Sequence, residues 1–143
     1  MGFQDLNVSK QILMALEEAG FENPTPIQEE VFSISRSGKD LIGIAQTGTG
    51  KTLAYLIPML MKLHYAQGLV PRALVIVPTR ELVVQVCESV ELLMSSWTFV
   101  AWVCTGERIS GHNKIGCSKE WTCSWLHRGV SWIYIIMVSS VRK

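Results

Sequence analysis

The residues of this chain best suited to chemistry form a glycine-rich octet, Ala45-Gln46-Thr47-Gly48-Thr49-Gly50-Lys51-Thr52. It follows the apolar run Asp40-Leu41-Ile42-Gly43-Ile44, which reads as a short buried strand. It precedes Leu53-Ala54-Tyr55-Leu56-Ile57, which opens a helical pattern. A glycine-rich turn between strand and helix aims backbone N–H groups and the positive end of the helix dipole at one point. Phosphate is the anion such a cradle fits. Lys51 is spaced to reach the outer phosphates of a nucleotide, and the Thr52 hydroxyl to hold Mg2+. The general pattern opens with glycine and this one opens with Ala45, but Gly50-Lys51-Thr52 falls where the strand-to-helix context requires it. The plain alternative is a flexible Gly/Thr joint between two elements.

The flanking sequence has to build the elements that present this turn. Ser9 can cap a helix whose apolar residues Ile12, Leu13, Leu16 and Ala19 share one face, and Gly20 ends it. Thr25 caps a second helix with Pro26 at its first position. The strand at Asp40–Ile44, the glycine-rich turn and a helix reaching Ala66 follow. A loop with Gly68 and Pro71 leads to a second strand, Ala73–Val77. Thr79 can cap a third long helix that starts at Arg80. Strands alternating with helices predict an α/β fold with a parallel sheet and helices on both faces. Both strands are continuously apolar, as strands covered on two sides are.

At 143 residues the chain holds one domain at most, and its net charge of +1 announces no broad basic surface, so any nucleic-acid contact is local. Cys87, Cys104, Cys117 and Cys123 form no CxxC pair and have no His-x-x-x-His partner set. No zinc site is expected, and a thiol-bearing cytoplasmic protein is. Met1-Gly2-Phe3-Gln4-Asp5 lacks the basic start and apolar core of a signal peptide. The apolar run from Trp132 to Val138 is far shorter than the roughly 20 residues of a membrane helix, so no membrane partner is expected.

The chain resembles the DEAD-box ATP-dependent RNA helicases. Phe3 followed by Gly20-Phe21-Glu22-Asn23-Pro24-Thr25-Pro26-Ile27-Gln28 is similar to that family's Q motif with its upstream aromatic. Ala45–Thr52 is similar to motif I, opening alanine included, and Pro78-Thr79-Arg80-Glu81-Leu82 to motif Ia. The resemblance covers about the first two-thirds of the chain. It implies a RecA-like P-loop sheet, incomplete because only the front half of the first helicase domain is represented, in residues 1–93.

It also implies ATP and Mg2+ as cofactors and RNA as partner. Phe3, Pro24, Thr25, Gln28 and the octet Ala45, Gln46, Thr47, Gly48, Thr49, Gly50, Lys51 and Thr52 would bind nucleotide. Lys51 would be catalytic, Thr52 the metal ligand, and Pro78, Thr79 and Arg80 would contact RNA. Gln28 would read adenine, an amide suited to the N6 and N7 edge; from the residues alone it is the partner of Thr25, three residues on, in a capping box, and both can hold. Phe3 would lie against the adenine ring; from the residues alone it is a core aromatic. Thr79 and Arg80 read equally as an N-cap and a solvated arginine. Pro24 and Pro26 are by default turn and first-turn residues.

The family's Asp-Glu-Ala-Asp, its Ser-Ala-Thr motif and its second domain do not occur in this sequence. Phosphoryl transfer needs charge stabilisation and an oriented water, so the expectation is a truncated fragment limited to nucleotide binding. A non-catalytic nucleotide-binding or interaction module is the alternative.

After Leu93 the composition changes. All five tryptophans (Trp97, Trp102, Trp121, Trp125, Trp132) lie there, and no aspartate follows Asp40. Tryptophan's single codon constrains an overlapping frame: Trp97–Thr98, Trp121–Thr122 and Trp132–Ile133 force Asp, Trp102–Val103 forces Gly, and Trp125–Leu126 forces Ala or Val. The remaining codons permit strings that resemble the family's Gly-Gly and Thr-Pro-Gly-Arg motifs. The reading is that the coding frame shifts between Leu93 and Trp97, leaving 94–143 a non-homologous tail. Without the missing strands, Asp40–Ile44 and Ala73–Val77 are expected to expose unpaired edges and uncovered apolar surface. Ile133–Val138, uncharged and β-prone, is expected to aggregate.

Overall fold

The structure, a computed structural model, describes residues 2–63, 72–94, 99–105, 108–113 and 133–139. Helices α1 (Lys10–Glu18), α2 (Pro26–Arg36) and α3 (Lys51–Leu63) precede strand β1 (Ala73–Val77), and helix α4 (Arg80–Leu93) follows it. Strands β2 (Phe99–Thr105), β3 (Arg108–Asn113) and β4 (Ile133–Ser139) follow. The chain divides into two compact units, Met1–His64 with Ser89–Ser96, and Tyr65–Glu88 with Trp97–Lys143.

The first unit is helical. A 3-10 turn at Phe3–Leu6 buries Phe3 and ends on Asn7 in the left-handed region, φ 53°. Ser9 stands at the N-cap of α1 as expected, but its hydroxyl caps nothing and is buried without a partner. The other end of α1 is closed fully. Gly20, at φ 79°, lets its own N–H reach Glu17 O at 3.0 Å and the Phe21 N–H reach Leu16 O at 2.8 Å, the paired bonds of a glycine-terminated helix.

Helix α3 buries Leu53, Leu56, Ile57, Leu60 and Leu63, spaced three and four apart, and packs along α2. Its Lys62 Nζ donates to Ser35 O at 2.9 Å, satisfying a carbonyl in the last turn of α2. Helix α3 reaches Leu63; the expected extension to Ala66 lies outside the described residues.

Two expectations are corrected. Asp40–Ile44 forms no strand: Ile42 is 89% exposed and Ile44 91%, and a Cβ at Gly43 would lie 4.0 Å from Ile27 Cδ1 and Val31 Cγ2 of α2. The described sheet is antiparallel, in the order β1-β4-β2-β3. An apolar run becomes a strand only when another strand takes up its backbone groups. In the second unit β1 finds that partner in β4, from Ala73↔Met137 to Val77↔Ile133.

One edge of β1 is thus paired with residues 133–137 of β4, which pairs with β2 on its other side; β1 stands outermost in the described sheet, and its second edge has no strand beside it among the described residues. β1 is also covered on one face rather than two. Val75 and Val77 are each 8% exposed, whereas Leu74 and Ile76 on the opposite face are 55% and 53% exposed.

A matched pair of truncations tests this arrangement. Leu56 is fully buried and Ile42 nearly bare. Leu56→Ala should cost about 2–5 kcal/mol in chemical denaturation, the usual range for a core cavity. Ile42→Ala should stay within about 0.5 kcal/mol, as for an exposed site. A large loss for Ile42→Ala would mean that 40–44 is a buried strand after all.

Candidate functional site

The site is built where the N-termini of α2 and α3 meet. Thr25 is the N-cap of α2, with extended backbone (φ −77°, ψ 160°) and Pro26 supplying the first helical φ. Gln28, one turn in, is 5% exposed. Its Oε1 accepts from the Thr25 N–H at 2.9 Å, which is the capping-box bond expected from the sequence. Its Nε2 donates to Gly50 O at 3.1 Å, and the Thr25 hydroxyl donates to Thr49 O at 2.9 Å. Two side chains of α2 thus hold two successive carbonyls of the glycine-rich turn.

The turn holds itself as well. Gly48 (φ 81°) and Gly50 (φ 85°) occupy the left-handed region that only glycine enters freely. The Thr49 hydroxyl donates to Gln46 O at 2.8 Å, and Lys51 Nζ donates to the carbonyls of both Ala45 and Gln46. Gly50 O also takes the first bond of α3, from Ala54 N–H at 3.1 Å. A trans peptide points its N–H opposite its C=O. Fastening the carbonyls of Ala45, Gln46, Thr49 and Gly50 therefore turns the amides of the following residues the other way, together with the positive end of α3.

An ammonium has three donors. Lys51 spends two on the loop and keeps one for an incoming oxygen. Gln28 likewise keeps one N–H and one carbonyl lone pair. The arrangement can bind an anion at the turn and a donor–acceptor edge beside Gln28.

The expected residues fall into two groups. Pro24 (buried), Thr25, Gln28 and 45–52 come together in the first unit. Phe3 belongs to the same unit but is 4% exposed, packed as a core aromatic with its 3-10 turn against α2. Pro78, Thr79 and Arg80 lie exposed in the second unit. There the Thr79 hydroxyl caps α4 by accepting from Leu82 N–H at 3.3 Å. The Glu81 carboxyl is held below its ordinary value by its own backbone N–H first and by the Thr79 side chain second. That first-turn carboxylate favours α4 above the usual carboxylate range, and the contribution is lost as pH falls through its lowered value.

Tyr55 lies three residues beyond Thr52 on α3; burial raises its phenol above its ordinary value, and the Thr52 side chain opposes the shift.

Gly50 gives a direct test. A Cβ there would lie 2.4 Å from Gln28 Nε2, and φ 85° is itself hostile to a side chain. Gly50→Ala should destabilise the first unit by about 1–3 kcal/mol, as strained left-handed residues do. In thermal unfolding, Gly50→Ala combined with Gln28→Ala should cost less than the sum of the single changes, because the second removes the clash. Strict additivity would show that the two residues do not touch.

The family model described as DEAD/DEAH box helicase matches residues 25–123. The ATP-dependent RNA helicase DeaD of Mycobacterium tuberculosis is 48% identical over 87 residues, which are 61% of this chain and 15% of that protein. The DEAD-box ATP-dependent RNA helicase CshA of Geobacillus kaustophilus is 49% identical over 86 residues, 60% of this chain and 18% of that protein. Among solved structures, the RNA helicase Prp28 of Chaetomium thermophilum bound to ADP superposes with a TM-score of 0.58 at 36% identity, over 63% of this chain and 23% of that one. The chain thus spans less than a fifth of the length of either curated relative.

Proposed function

The chain belongs to the DEAD/DEAH box helicase family, and from that premise we propose that it is the nucleotide-binding front part of an ATP-dependent RNA helicase, able by itself to bind ATP but not to turn it over. The observation that carries this reading is the grip of Thr25 and Gln28 on the carbonyls of Thr49 and Gly50. It sets an amide with one free donor and one free acceptor next to a phosphate cradle, the pairing an adenine nucleotide requires.

Each residue then has a task. The turn from Ala45 to Thr52 receives the phosphates on its amides, and the third hydrogen of Lys51 reaches their outer oxygens. Gln28 reads the base. The Thr52 hydroxyl is the protein's hand on Mg2+. The donor set suits that ion, which takes oxygen ligands, keeps several waters and relies on nucleotide phosphates. Among the described residues no group of three His, Cys, Asp or Glu side chains offers another metal cage. Bound there, Mg2+ would neutralise charge on the phosphate oxygens. Thr79 and Arg80 at the N-terminus of α4, with Pro78 before them, are assigned to RNA phosphates, where a helix start and a cation favour an anion.

Turnover is a different matter. The sequence carries no Asp-Glu-Ala-Asp to hold the metal from its other side and orient the attacking water. The ATP-dependent RNA helicase activity for which the longer relatives are named is accordingly not assigned to this chain by itself. The same lack supports the second reading, a nucleotide-binding module without catalysis. Residues 94–143 are proposed to be an out-of-frame tail, and the reducing cytoplasm remains the proposed location. Reading the nucleotides past the Leu93 codon decides the tail: stop codons in the overlapping frame, or a missing glycine pair, would end that idea.

Titration with a fluorescent ATP analogue tests the binding claim. Lys51→Ala should weaken Mg–ATP binding roughly 10- to 100-fold, the worth of a charge-assisted hydrogen bond of about 1.5–3 kcal/mol. Neither protein should show RNA-stimulated phosphate release. Unchanged affinity in Lys51→Ala would refute the site, and RNA-stimulated turnover would refute the limit placed on it.

A further inference from the structure

We propose that the Thr49 side chain is a positioning residue for the phosphate turn: its hydroxyl fixes the Gln46–Thr47 peptide, so that the Thr47 N–H faces an incoming phosphate whether or not Lys51 stays on the loop. The inference rests on the nucleotide-site reading above and gives a task to a side chain that this reading uses only through its backbone.

The turn is soft on both sides of Thr49. Gly48 (φ 81°) and Gly50 (φ 85°) flank it, and glycine restricts the backbone least. Its two halves are not held equally. A Cβ at Gly50 would meet the side chains of Gln28 and Thr25, whereas one at Gly48 would meet nothing within 4 Å. The first half, exposed from Gln46 to Gly48, therefore owes its shape to hydrogen bonds rather than to packing.

Two donors meet on one carbonyl there. The Thr49 hydroxyl, at 2.8 Å, and Lys51 Nζ both donate to Gln46 O. That oxygen has two lone pairs, so the two donors fill it. They differ in what else they can do. Lys51 carries the charge that a phosphate attracts, on a flexible four-carbon stem. Any donor it moves to a phosphate leaves the loop. Thr49 has a single proton, a side chain stiff at χ1, and a main chain already pinned, since its own carbonyl accepts from the Thr25 hydroxyl at 2.9 Å. Thr25, Thr49 and Gln46 thus form a relay from the start of α2 to the first half of the turn. A trans peptide sets its N–H against its C=O, so the carbonyl that Thr49 holds decides where the Thr47 N–H points.

Thr49→Val removes the hydroxyl and keeps the branched shape and the Thr49 carbonyl. On the full chain, affinity is measured for the fluorescent Mg–ATP analogue and, by displacement, for inorganic Mg–tripolyphosphate, with thermal unfolding alongside. Both ligands should weaken by the same factor, about three- to tenfold, the scale of one hydrogen bond. The melting temperature should not change, because Gln46 lies at the surface and water takes the vacated lone pair. Thr49→Ser, which returns a hydroxyl, should recover most of the lost affinity. Unchanged affinity in Thr49→Val overturns the proposal, as does a Thr49→Ser no better than Thr49→Val. So does a loss confined to the ATP analogue, which places the defect at Gln28 instead of the turn. A loss that comes with a fall in melting temperature marks plain structural damage and overturns it too. If the unsubstituted chain binds no Mg–ATP analogue, or tripolyphosphate does not displace it, the nucleotide reading itself fails and this inference with it. If that chain binds both and Thr49→Val matches it, only the inference fails.

Discussion

The site depends on a hydrogen bond between a side-chain amide and a main-chain carbonyl, Gln28 Nε2 to Gly50 O. Gly50 lies in the phosphate turn immediately before α3 and accepts that helix's first backbone bond. A residue there must accept a left-handed backbone and leave room for Gln28, and a Cβ at that point would intrude to 2.4 Å. Glycine meets both demands. Gln28 meets the reciprocal ones, since its oxygen caps α2 while its nitrogen grips the turn. A carboxylate of the same length would keep the cap and set an acceptor against the carbonyl of Gly50. The two motifs named from sequence are therefore one assembly, in which the start of α2 is part of the phosphate turn.

Much of this was legible. The glycine-rich octet, Thr25 and Pro26 at the start of α2, the boundary at Gly20 and the α4 cap at Thr79 all follow from local rules about φ, donors and helix ends. The structure agrees with each. Local rules failed at Ser9, where the residue type was right and its hydroxyl nonetheless caps nothing. They failed more plainly at Asp40–Ile44. A strand is a relation between two segments, and an apolar run names only one of them. The bond between Gln28 and Gly50 was beyond reach for a similar reason: it joins residues 22 apart in the chain, and no periodicity reports such a pairing.

The sheet of the second unit makes the same point in reverse. Its strand β1 was found from composition, and its direction of pairing was not. Alternation of strands and helices argues for parallel neighbours only when a suitable parallel neighbour is at hand. Here an uncharged apolar segment late in the chain aligns antiparallel along all of β1. Leu74 and Ile76 remain bare on one face, so pairing took up one edge of β1 without burying its side chains on both sides.

Helices α2 and α3 are joined at both ends, through Thr25 and Gln28 at their starts and through Lys62 and Ser35 at their finishes. They therefore lie side by side with the same polarity. Neighbouring helices usually gain by opposing their dipoles. These two instead bring together two positive ends, each equivalent to roughly half an elementary charge. Their mutual repulsion is a standing electrostatic tension. A polyanion arriving at the shared end relieves it, so part of the attraction for such a ligand comes from cancelling a discord between the helices themselves.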